Sequence, residues 1–136
     1  MGGAASASPT EPTDVAAELD TIISSNDLVL FVAGVGPFGL LRCPYCSKAE
    51  VLLKDKGITY TKYDCGTKGT PMRTAVIERC QGTTSVPEVF MFGSWVGGWD
   101  MSDGGTKGAP GIEPLMASGQ FEQALAKRDA SLCLKK

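Results

Sequence analysis

The chain has 136 residues, of which 43% are hydrophobic and 21% are charged, and its net charge is −2. This length fits one domain with a single hydrophobic core, and a net charge so close to zero argues against nucleic acid as a partner. The acidic residues are concentrated at the start, because residues 1–41 contain five of them and no lysine or arginine, which leaves the other 95 residues with a net charge of +3.

The sequence indicates neither export nor membrane insertion. The longest apolar run, residues 28–41, is 14 residues long and contains Pro37 and three glycines, so it is typical of a protein core. The N-terminus lacks the basic and apolar regions of a secretory signal. We therefore expect a cytoplasmic protein, whose five cysteines are catalytic or inert rather than joined in structural disulfides.

The first part of the chain predicts an arm, a helix and a strand. Residues 1–12 are small, polar and interrupted by prolines, which predicts a flexible arm in front of a single domain, 13–136. A helix is indicated by apolar residues at helical spacing, namely Val15, Leu19, Ile22 and Ile23. Residues 28–32 (LVLFV) have the composition of a buried strand, and residues 34–42 form a loop.

The middle of the chain alternates between helix and strand. Residues 44–56 predict a helix that Gly57 stops, and residues 58–64 have strand composition. Thr70 and Pro71 are helix-start residues. The helix that they open is predicted to turn three residues inward, Met72, Ala75 and Val76.

A hairpin is predicted after Pro87. Residues 88–92 and 95–98 have strand composition, and only Gly93 and Ser94 separate them. Glycine at the first position of a two-residue link is typical of a type II′ turn. We therefore predict two antiparallel strands joined by such a turn.

The C-terminal part predicts a loop and a last helix. Residues 101–111 are rich in glycine, and apolar residues at helical spacing follow, namely Phe121, Ala124, Leu125 and Leu132. The complete order, β-α-β-α-β-β-α, predicts an α/β fold. In it, helices flank a small central mixed sheet of four strands, and one extra helix lies at the N-terminus.

Cys43 and Cys46 stand two residues apart at the start of the second predicted helix. A zinc site needs four ligands, usually from a second cysteine pair or from histidines. The chain has no histidine, and its other three cysteines show no paired spacing, so we expect no metal. A disulfide across two residues closes so small a loop that it is a poor structural staple. Redox exchange and two inert core thiols are the remaining interpretations.

The position of the pair at a helix start favours redox exchange. Unsatisfied N–H groups and the helix dipole stabilise a thiolate there, so we expect a lowered pKa for the Cys43 thiol. Arg42 adds a positive neighbour. Cys46 lies nearly one helical turn further in, within reach of Cys43 but less exposed. This is the arrangement of an attacking thiol backed by a resolving thiol.

The sequence CPYC at 43–46, the segment TSVPEVFMFGSWVGG at 84–98 and Asp100 together resemble the dithiol class of the glutaredoxin family. The likeness extends from about Leu28 to Ala126. The resemblance implies a thioredoxin-like fold and the activity of a glutathione-dependent thiol–disulfide oxidoreductase. Such a protein would reduce protein–glutathione mixed disulfides and protein disulfides.

The resemblance also implies roles for single residues. Cys43 would be the catalytic nucleophile, and Cys46 would be the resolving thiol. Tyr45 would line the groove for glutathione, and Val86, before an expected cis Pro87, would pair its backbone with the cysteinyl part. Three residues would hold the γ-glutamyl end, namely Gly97, Gly98 and Asp100.

The chain departs from the family pattern beside the groove. Glutaredoxins usually carry a lysine just after the first strand, which pairs with the glycyl carboxylate of glutathione, and Ala33 stands at that position here. Arg42 is our first candidate to replace this lysine in binding glutathione, Arg73 is the second, and Lys48 is a weaker third. The alternative is that nothing replaces the lysine and glutathione binds poorly. The loops at 34–42 and 101–111 are longer than in the family, and we expect both to rim the groove.

The implied partners are thiols of the glutathione type and proteins that carry glutathione adducts or disulfides. Glutathione, or a larger conjugate of it, would be the cosubstrate; we expect no tightly bound cofactor and a monomeric protein. An alternative function is an iron–sulfur scaffold, in which Cys43 and glutathione ligate a cluster shared across a dimer. The long loop before Cys43 and the sequence ASGQFEQAL at 117–125 resemble the monothiol branch of the family and keep this alternative open.

The first residues, MGGAAS, match the N-myristoylation pattern, with Gly2 exposed once Met1 is removed. A flexible arm of small residues that happens to match is the alternative. A single acyl chain binds membranes only marginally, with an association constant of about 10⁴ M⁻¹. The first basic residue is as late as Arg42. We therefore expect weak, reversible membrane contact of a minor fraction if Gly2 is acylated.

Overall fold

The computed structural model describes residues 12–33, 44–66 and 69–134. Several predictions from the sequence fall outside this part of the chain: the N-terminal arm with Gly2, the loop 34–42 with Arg42, and Cys43. They stay predictions.

The described residues form helices and strands in the predicted order. The helices are α1 (Pro12–Ser25), α2 (Pro44–Asp55), α3 (Pro71–Arg79), α4 (Met101–Gly104), α5 (Ile112–Ser118) and α6 (Gln120–Lys127). The strands are β1 (Leu28–Val32), β2 (Thr61–Asp64), β3 (Glu88–Met91) and β4 (Ser94–Gly97). Short 3-10 turns lie at Gly105–Lys107 and Ala130–Cys133. None of the helices in the described ranges is both long and apolar enough to cross a membrane.

The four strands form one mixed sheet in the order β2-β1-β3-β4. β1 runs parallel to β2, with Val29 opposite Thr61, and antiparallel to β3, with Leu28 opposite Met91. All five residues of β1 are buried, because the strand has neighbours on both sides and helices on both faces. The predicted mixed sheet of four strands is confirmed.

Alternating residues of β1 contribute to two separate cores. Leu30 packs on one face in a cluster with Leu53 of α2 and with residues of α5 and α6. Phe31 points to the other face and clusters with Leu19 of α1 and Val76 of α3. This alternation follows from the two-residue period of a strand, and it places the predicted extra helix α1 beside α3.

The strand predicted at 58–64 is shorter in the structure, because its first residues complete the end of α2. Gly57 has a φ of +68°, as predicted for a helix stop. The N–H of Gly57 donates to the carbonyl of Lys54 at 3.0 Å, and the N–H of Ile58 donates to Leu53 at 3.0 Å. These two bonds are those of a Schellman motif. The backbone is therefore free to pair with β1 only from Thr61 onward.

The predicted hairpin exists, but its turn is one residue earlier and of another type. Met91 pairs with Ser94, so the two-residue link is Phe92 and Gly93. Their φ angles are +49° and +83°, and positive values at both positions belong to a type I′ turn rather than type II′. Phe92 occupies this unusual conformation with the guanidinium of Arg128 4.9 Å from its ring centre.

The C-terminal region is more helical than the sequence predicts. Residues 101–111, predicted as a loop, contain α4 and a 3-10 turn. The single last helix is in fact two helices, α5 and α6, separated at Gly119, whose φ is +83°. Leu132, assigned to the same helix by its spacing, lies in a 3-10 turn that Asp129 caps.

Candidate active site

The described part of the CPYC motif, Pro44 to Cys46, forms the start of α2. Pro44 is exposed and occupies the first helical position, directly after Cys43. Tyr45 projects outward with 49% of its surface exposed, whereas Cys46 is fully buried in the core with Ala49. The helical period causes this difference, because Cys46 lies on the apolar side of α2. Cys46 is therefore positioned behind the start of the helix, as a resolving thiol requires.

A cleft of about 170 Å³ opens beside the first turn of α2. Its lining consists of Tyr45, Ser85, Val86, Pro87, Trp99, Asp100 and Ser102. Four residues proposed from the sequence therefore meet in one place, although Tyr45 and Asp100 are 55 positions apart in the chain. The peptide bond between Val86 and Pro87 is cis, as predicted.

Asp100 lines the cleft and also caps α4. Its Oδ1 accepts hydrogen bonds from the hydroxyl of Ser102 at 2.6 Å and from the N–H of Ser102 at 3.0 Å. These two bonds hold the pKa of Asp100 below its usual value of 3.8, and the positive charge of Lys48 acts in the same direction. Asp100 therefore carries a negative charge into the cleft at neutral pH.

Gly97 and Gly98 are buried, and nearby backbone atoms leave no room for a Cβ at either position. A Cβ at Gly98 would come within 2.6 Å of the carbonyl oxygen of Pro87, and one at Gly97 within 2.6 Å of the carbonyl oxygen of Ala109. Neither glycine lines the cleft itself. Their proposed contact with glutathione stays a prediction. In the structure, Gly98 allows a close approach to Pro87, and Gly97 allows a close approach to Ala109 and Gly111.

The segment after β4 is held by the start of α5. The N–H groups of Gly111, Ile112 and Glu113 donate to the carbonyls of Val96, Gly98 and Trp99, respectively, at 2.8–2.9 Å. N–H groups in the first turn of a helix have no partner within the helix, so these bonds satisfy α5 as well as the segment. The backbone from β4 to the cleft is thereby fixed.

The position of the missing lysine is buried. Ala33 follows β1 and is 7% exposed. Arg73, one candidate to replace the lysine, is 6% exposed, and its guanidinium donates to the carbonyls of Gly66 at 2.7 Å and Thr84 at 2.8 Å. Two nitrogens of the Arg73 guanidinium are thus bonded to the protein backbone. Arg42 stays our first candidate for the glycyl carboxylate, and Lys48 is the other one.

Three other thiols lie inside the protein. Burial raises the pKa of Cys65 from 9.0 to about 11 and that of Cys133 to about 11, and it also raises the pKa of Cys80. Cys65 additionally donates to the carbonyl of Val32 at 3.4 Å. Buried protonated thiols are poor nucleophiles. Within the described ranges, no three His, Cys, Asp or Glu side chains are grouped so that they could hold a metal ion.

Trp99 is the main cleft residue that sequence reasoning missed. It separates the cleft from an open apolar groove along α2, where Val51 is 58% exposed and Leu52 lies beside it. The available signal was its place between Gly98 and Asp100, both assigned to the site. Ser85 and Ser102 were also missed, since serines in loops carry no distinctive pattern.

Comparison with known proteins agrees with this geometry. The Glutaredoxin family model matches residues 29–96. A glutaredoxin of Pseudomonas aeruginosa is 38% identical over 58 residues, which are 43% of this chain and 67% of that protein. A probable glutaredoxin of Synechocystis is 34% identical over 76 residues, 56% of this chain and 84% of that protein. A hybrid peroxiredoxin of Haemophilus influenzae matches over only 23% of its length.

Solved structures show the same fold. The crystal structure of a buckwheat glutaredoxin–glutathione complex superposes with a TM-score of 0.63 at 18% identity, covering 85% of this chain and 91% of that chain. Wheat glutaredoxin superposes with a TM-score of 0.64 at 22% identity, covering 86% and 97%.

The sheet, its helices and the cleft beside the cis proline define a protein with a thioredoxin-like fold. The chain belongs to the glutaredoxin family. Membership in this family indicates a general role as a thiol–disulfide oxidoreductase.

Proposed function

We propose that this protein uses glutathione to reduce protein–glutathione mixed disulfides and protein disulfides. The observation that carries the proposal is the cleft in which Tyr45, Val86, Pro87 and Asp100 converge at the start of α2. Cys43 directly precedes that helix in the chain. A disulfide bound in the cleft therefore lies next to the proposed nucleophile.

In the first step, the Cys43 thiolate attacks the glutathione sulfur of a mixed disulfide. A new disulfide forms between Cys43 and glutathione, the old sulfur–sulfur bond breaks, and the protein sulfur leaves as a thiolate that takes a proton from water. The chain has no histidine to act as a base. The nucleophile must consequently be a thiolate that its surroundings stabilise.

The second step can follow two routes. A second glutathione thiolate attacks the glutathione sulfur, which produces glutathione disulfide and restores the Cys43 thiolate. Alternatively, Cys46 loses its proton and attacks the Cys43 sulfur, so that glutathione leaves and an internal disulfide forms. Two glutathione molecules then reduce that disulfide. Because Cys46 is fully buried, a bulky disulfide in solution cannot reach it. The proposal requires that the Cys43 sulfur can.

The proposal assigns a partner to each part of glutathione. The backbone of Val86 pairs with the cysteinyl part in this proposal, as in strand pairing between a peptide and a protein. The ionised Asp100 suits the ammonium group of the γ-glutamyl end. We assign the glycyl carboxylate to Arg42. A glutaredoxin of similar fold forms a complex with glutathione, which supports this choice of ligand.

The test is turnover of a mixed disulfide between glutathione and a small thiol, in the presence of glutathione, glutathione reductase and NADPH. We expect steady NADPH oxidation by the parent and by Cys65→Ser, whose thiol is buried away from the cleft. The comparison replaces glutathione and glutathione reductase by thioredoxin reductase, which should support little NADPH oxidation. An equal rate with that reducing system, or no turnover with glutathione, would contradict glutathione-dependent exchange.

The alternative, an iron–sulfur scaffold, makes a different prediction. A cluster ligated by thiolates absorbs visible light, so protein purified without oxygen would be coloured and would carry iron and sulfide. The exchange activity predicts colourless protein with full turnover after anaerobic purification. Pro44 and the second motif cysteine favour the exchange activity, because both belong to the dithiol pattern.

A further inference from the structure

Residues 81–86 connect α3 to the cis proline, and the last two of them, Ser85 and Val86, line the cleft. This connection contains no helix or strand. Its first turn is held to α3, since the N–H of Gly82 donates to Ile77 at 2.9 Å and that of Thr83 donates to Cys80 at 3.0 Å. Two side chains from elsewhere in the protein make further contacts with the connection.

Lys107 provides one such contact. Its Nζ donates to the carbonyl of Gln81 at 3.1 Å and to the hydroxyl of Thr83 at 2.9 Å. Thr83 is only 6% exposed, so its hydroxyl has a fixed position in the protein. Lys107 belongs to the 3-10 turn in the segment 101–111, which we expect from the sequence to be longer than in the family.

Arg73 provides the second contact, from α3. One end of its guanidinium donates to the carbonyl of Thr84 at 2.8 Å, and the other end donates to Gly66 at 2.7 Å. Two cations from different parts of the chain therefore hold three positions of the connection, 81, 83 and 84, through backbone or hydroxyl oxygens. Each bond has a charged donor, and such bonds are stronger than those between neutral groups.

The lengthened segment is itself anchored, so it can act as a support. Asp100 caps its first turn, and the N–H of Gly111 donates to Val96 at 2.9 Å. Between these ends, Ala109 is 1% exposed and packs in the core, and its carbonyl oxygen lies against Gly97. The base from which Lys107 reaches residues 81–86 is consequently fixed to β4.

We propose that Lys107 is a positioning residue, which, together with Arg73, holds the connection at 81–86 so that Ser85 and Val86 keep their place in the cleft. Lys107 then supports substrate binding through the connection, since it does not line the cleft itself. The effect on glutathione binding rests on the proposed function, whereas the effect on the connection itself does not.

The experiment compares the parent with Lys107→Met, which keeps the length of the side chain but removes its charge and its donors. Hydrogen exchange of the backbone amides at 83–86 is measured, with the amides of β1 as an internal reference for global unfolding. The loss of bonds worth about 1 kcal/mol should accelerate exchange at 83–86 by roughly fivefold. The β1 amides should exchange as in the parent.

The kinetic consequence is measured with the glutathione mixed disulfide. In Lys107→Met we expect KM to rise by roughly fivefold, with kcat unchanged, because the reacting cysteines are untouched. Lys107→Arg keeps a cationic donor and should restore both KM and the slow exchange. Lys127→Met, an exposed lysine of α6, is the matched control and should behave as the parent in both measurements.

Each result has one meaning. Unchanged exchange at 83–86 in Lys107→Met would overturn the proposal, whatever the kinetics. Faster exchange at 83–86 together with a KM equal to that of the parent would overturn the link to the cleft. A lower kcat together with faster exchange of the β1 amides would overturn it too, because the whole fold would then be destabilised. If the parent itself turns over no glutathione mixed disulfide, the proposed function fails, and the exchange comparison still decides whether Lys107 holds the connection.

Discussion

Gly98 lies against Pro87 so closely that a Cβ at Gly98 would stand 2.6 Å from the carbonyl oxygen of Pro87. Real Cβ atoms do not approach a backbone oxygen to this distance. The glycine therefore sets the separation between the end of β4 and the cis proline, and with it the width of the cleft that Pro87 and Asp100 share.

Substitution of this glycine should damage binding more than folding. In Gly98→Ala the added methyl must displace the Pro87 carbonyl, which costs about 1–3 kcal/mol as in other overpacked sites, and KM for the glutathione mixed disulfide should rise. Gly57→Ala is the control, because its Cβ meets nothing within 4 Å and only the positive φ is penalised. The measurements are KM for the glutathione mixed disulfide and the thermal unfolding midpoint of both variants. Equal KM values in the two variants would contradict the role of Gly98 in setting the width of the cleft.

Substitutions of the two motif cysteines should differ in the substrates that they affect. Cys43→Ser removes the nucleophile and should abolish all exchange. Cys46→Ser should retain turnover of the glutathione mixed disulfide but lose dithiol reduction of protein disulfides, because only the second reaction needs a resolving thiol. The assays are run on both substrates with Cys133→Ser as control. A Cys46 variant as inactive as the Cys43 variant on the mixed disulfide would show that the roles are wrongly assigned.

Cys43 should be the one thiol that reacts at neutral pH. A thiolate at a helix start should titrate well below the free value of about 8.5, in the range of roughly 3.5–7.5, whereas burial raises the pKa of Cys65 and Cys133 to about 11. Brief alkylation at pH 7 followed by mass spectrometry should label Cys43 alone. Its rate should fall with acid only below the titration midpoint. A midpoint near the free value would contradict thiolate stabilisation.

The buried thiol of Cys65 should make the fold sensitive to alkali. Its folded-state pKa of about 11 lies above the ordinary value of 9.0, so the unfolded chain loses this proton first. The stabilisation is complete below pH 9 and is lost as pH rises toward 11. Between pH 8 and pH 10, the free energy of unfolding should fall by on the order of 1 kcal/mol more in the parent than in Cys65→Ser. Denaturant unfolding at both pH values measures this difference. An equal fall in the free energy of unfolding of the two proteins would contradict the raised pKa of Cys65.

Arg42 should bind the glycyl carboxylate. A charge-assisted bond of roughly 1.5–3 kcal/mol implies that Arg42→Ala raises KM for the glutathione mixed disulfide about tenfold or more. Lys54→Ala, an exposed cation at the other end of α2, is the control. With the glycyl ethyl ester of glutathione, whose glycyl carboxylate is blocked, Arg42→Ala should change KM little. If KM rises equally for both substrates, Arg42 acts on the thiolate rather than on the carboxylate.

The strands and the dithiol helix could be predicted because their signals are local. The run at 28–32 is apolar throughout, and Gly57 ends α2 by a short-range motif that the sequence displays. The cis bond before Pro87 and the cleft around Asp100 could be predicted only through resemblance to the family. No local pattern brings residues so distant in the chain together.

The errors have a common physical origin in long-range contacts. The turn at Phe92 was misplaced because its positive φ is supported by Arg128, which lies 36 residues further along the chain. The segment 101–111 looked like a loop because its glycines suppress helix propensity. Its helical turns are instead supported by Lys107 and by the packing of Ala109.

The bonds from Gly111 and Ile112 to β4 also bear on how the sheet meets other molecules. Any strand of another chain that tried to extend the sheet beside β4 would first have to displace these donors from the carbonyls of Val96 and Gly98. At the opposite border, β2 exposes Lys62 and Asp64, and charged side chains on a border strand discourage such pairing. Both edge strands of the sheet are thus protected against pairing with strands of other molecules.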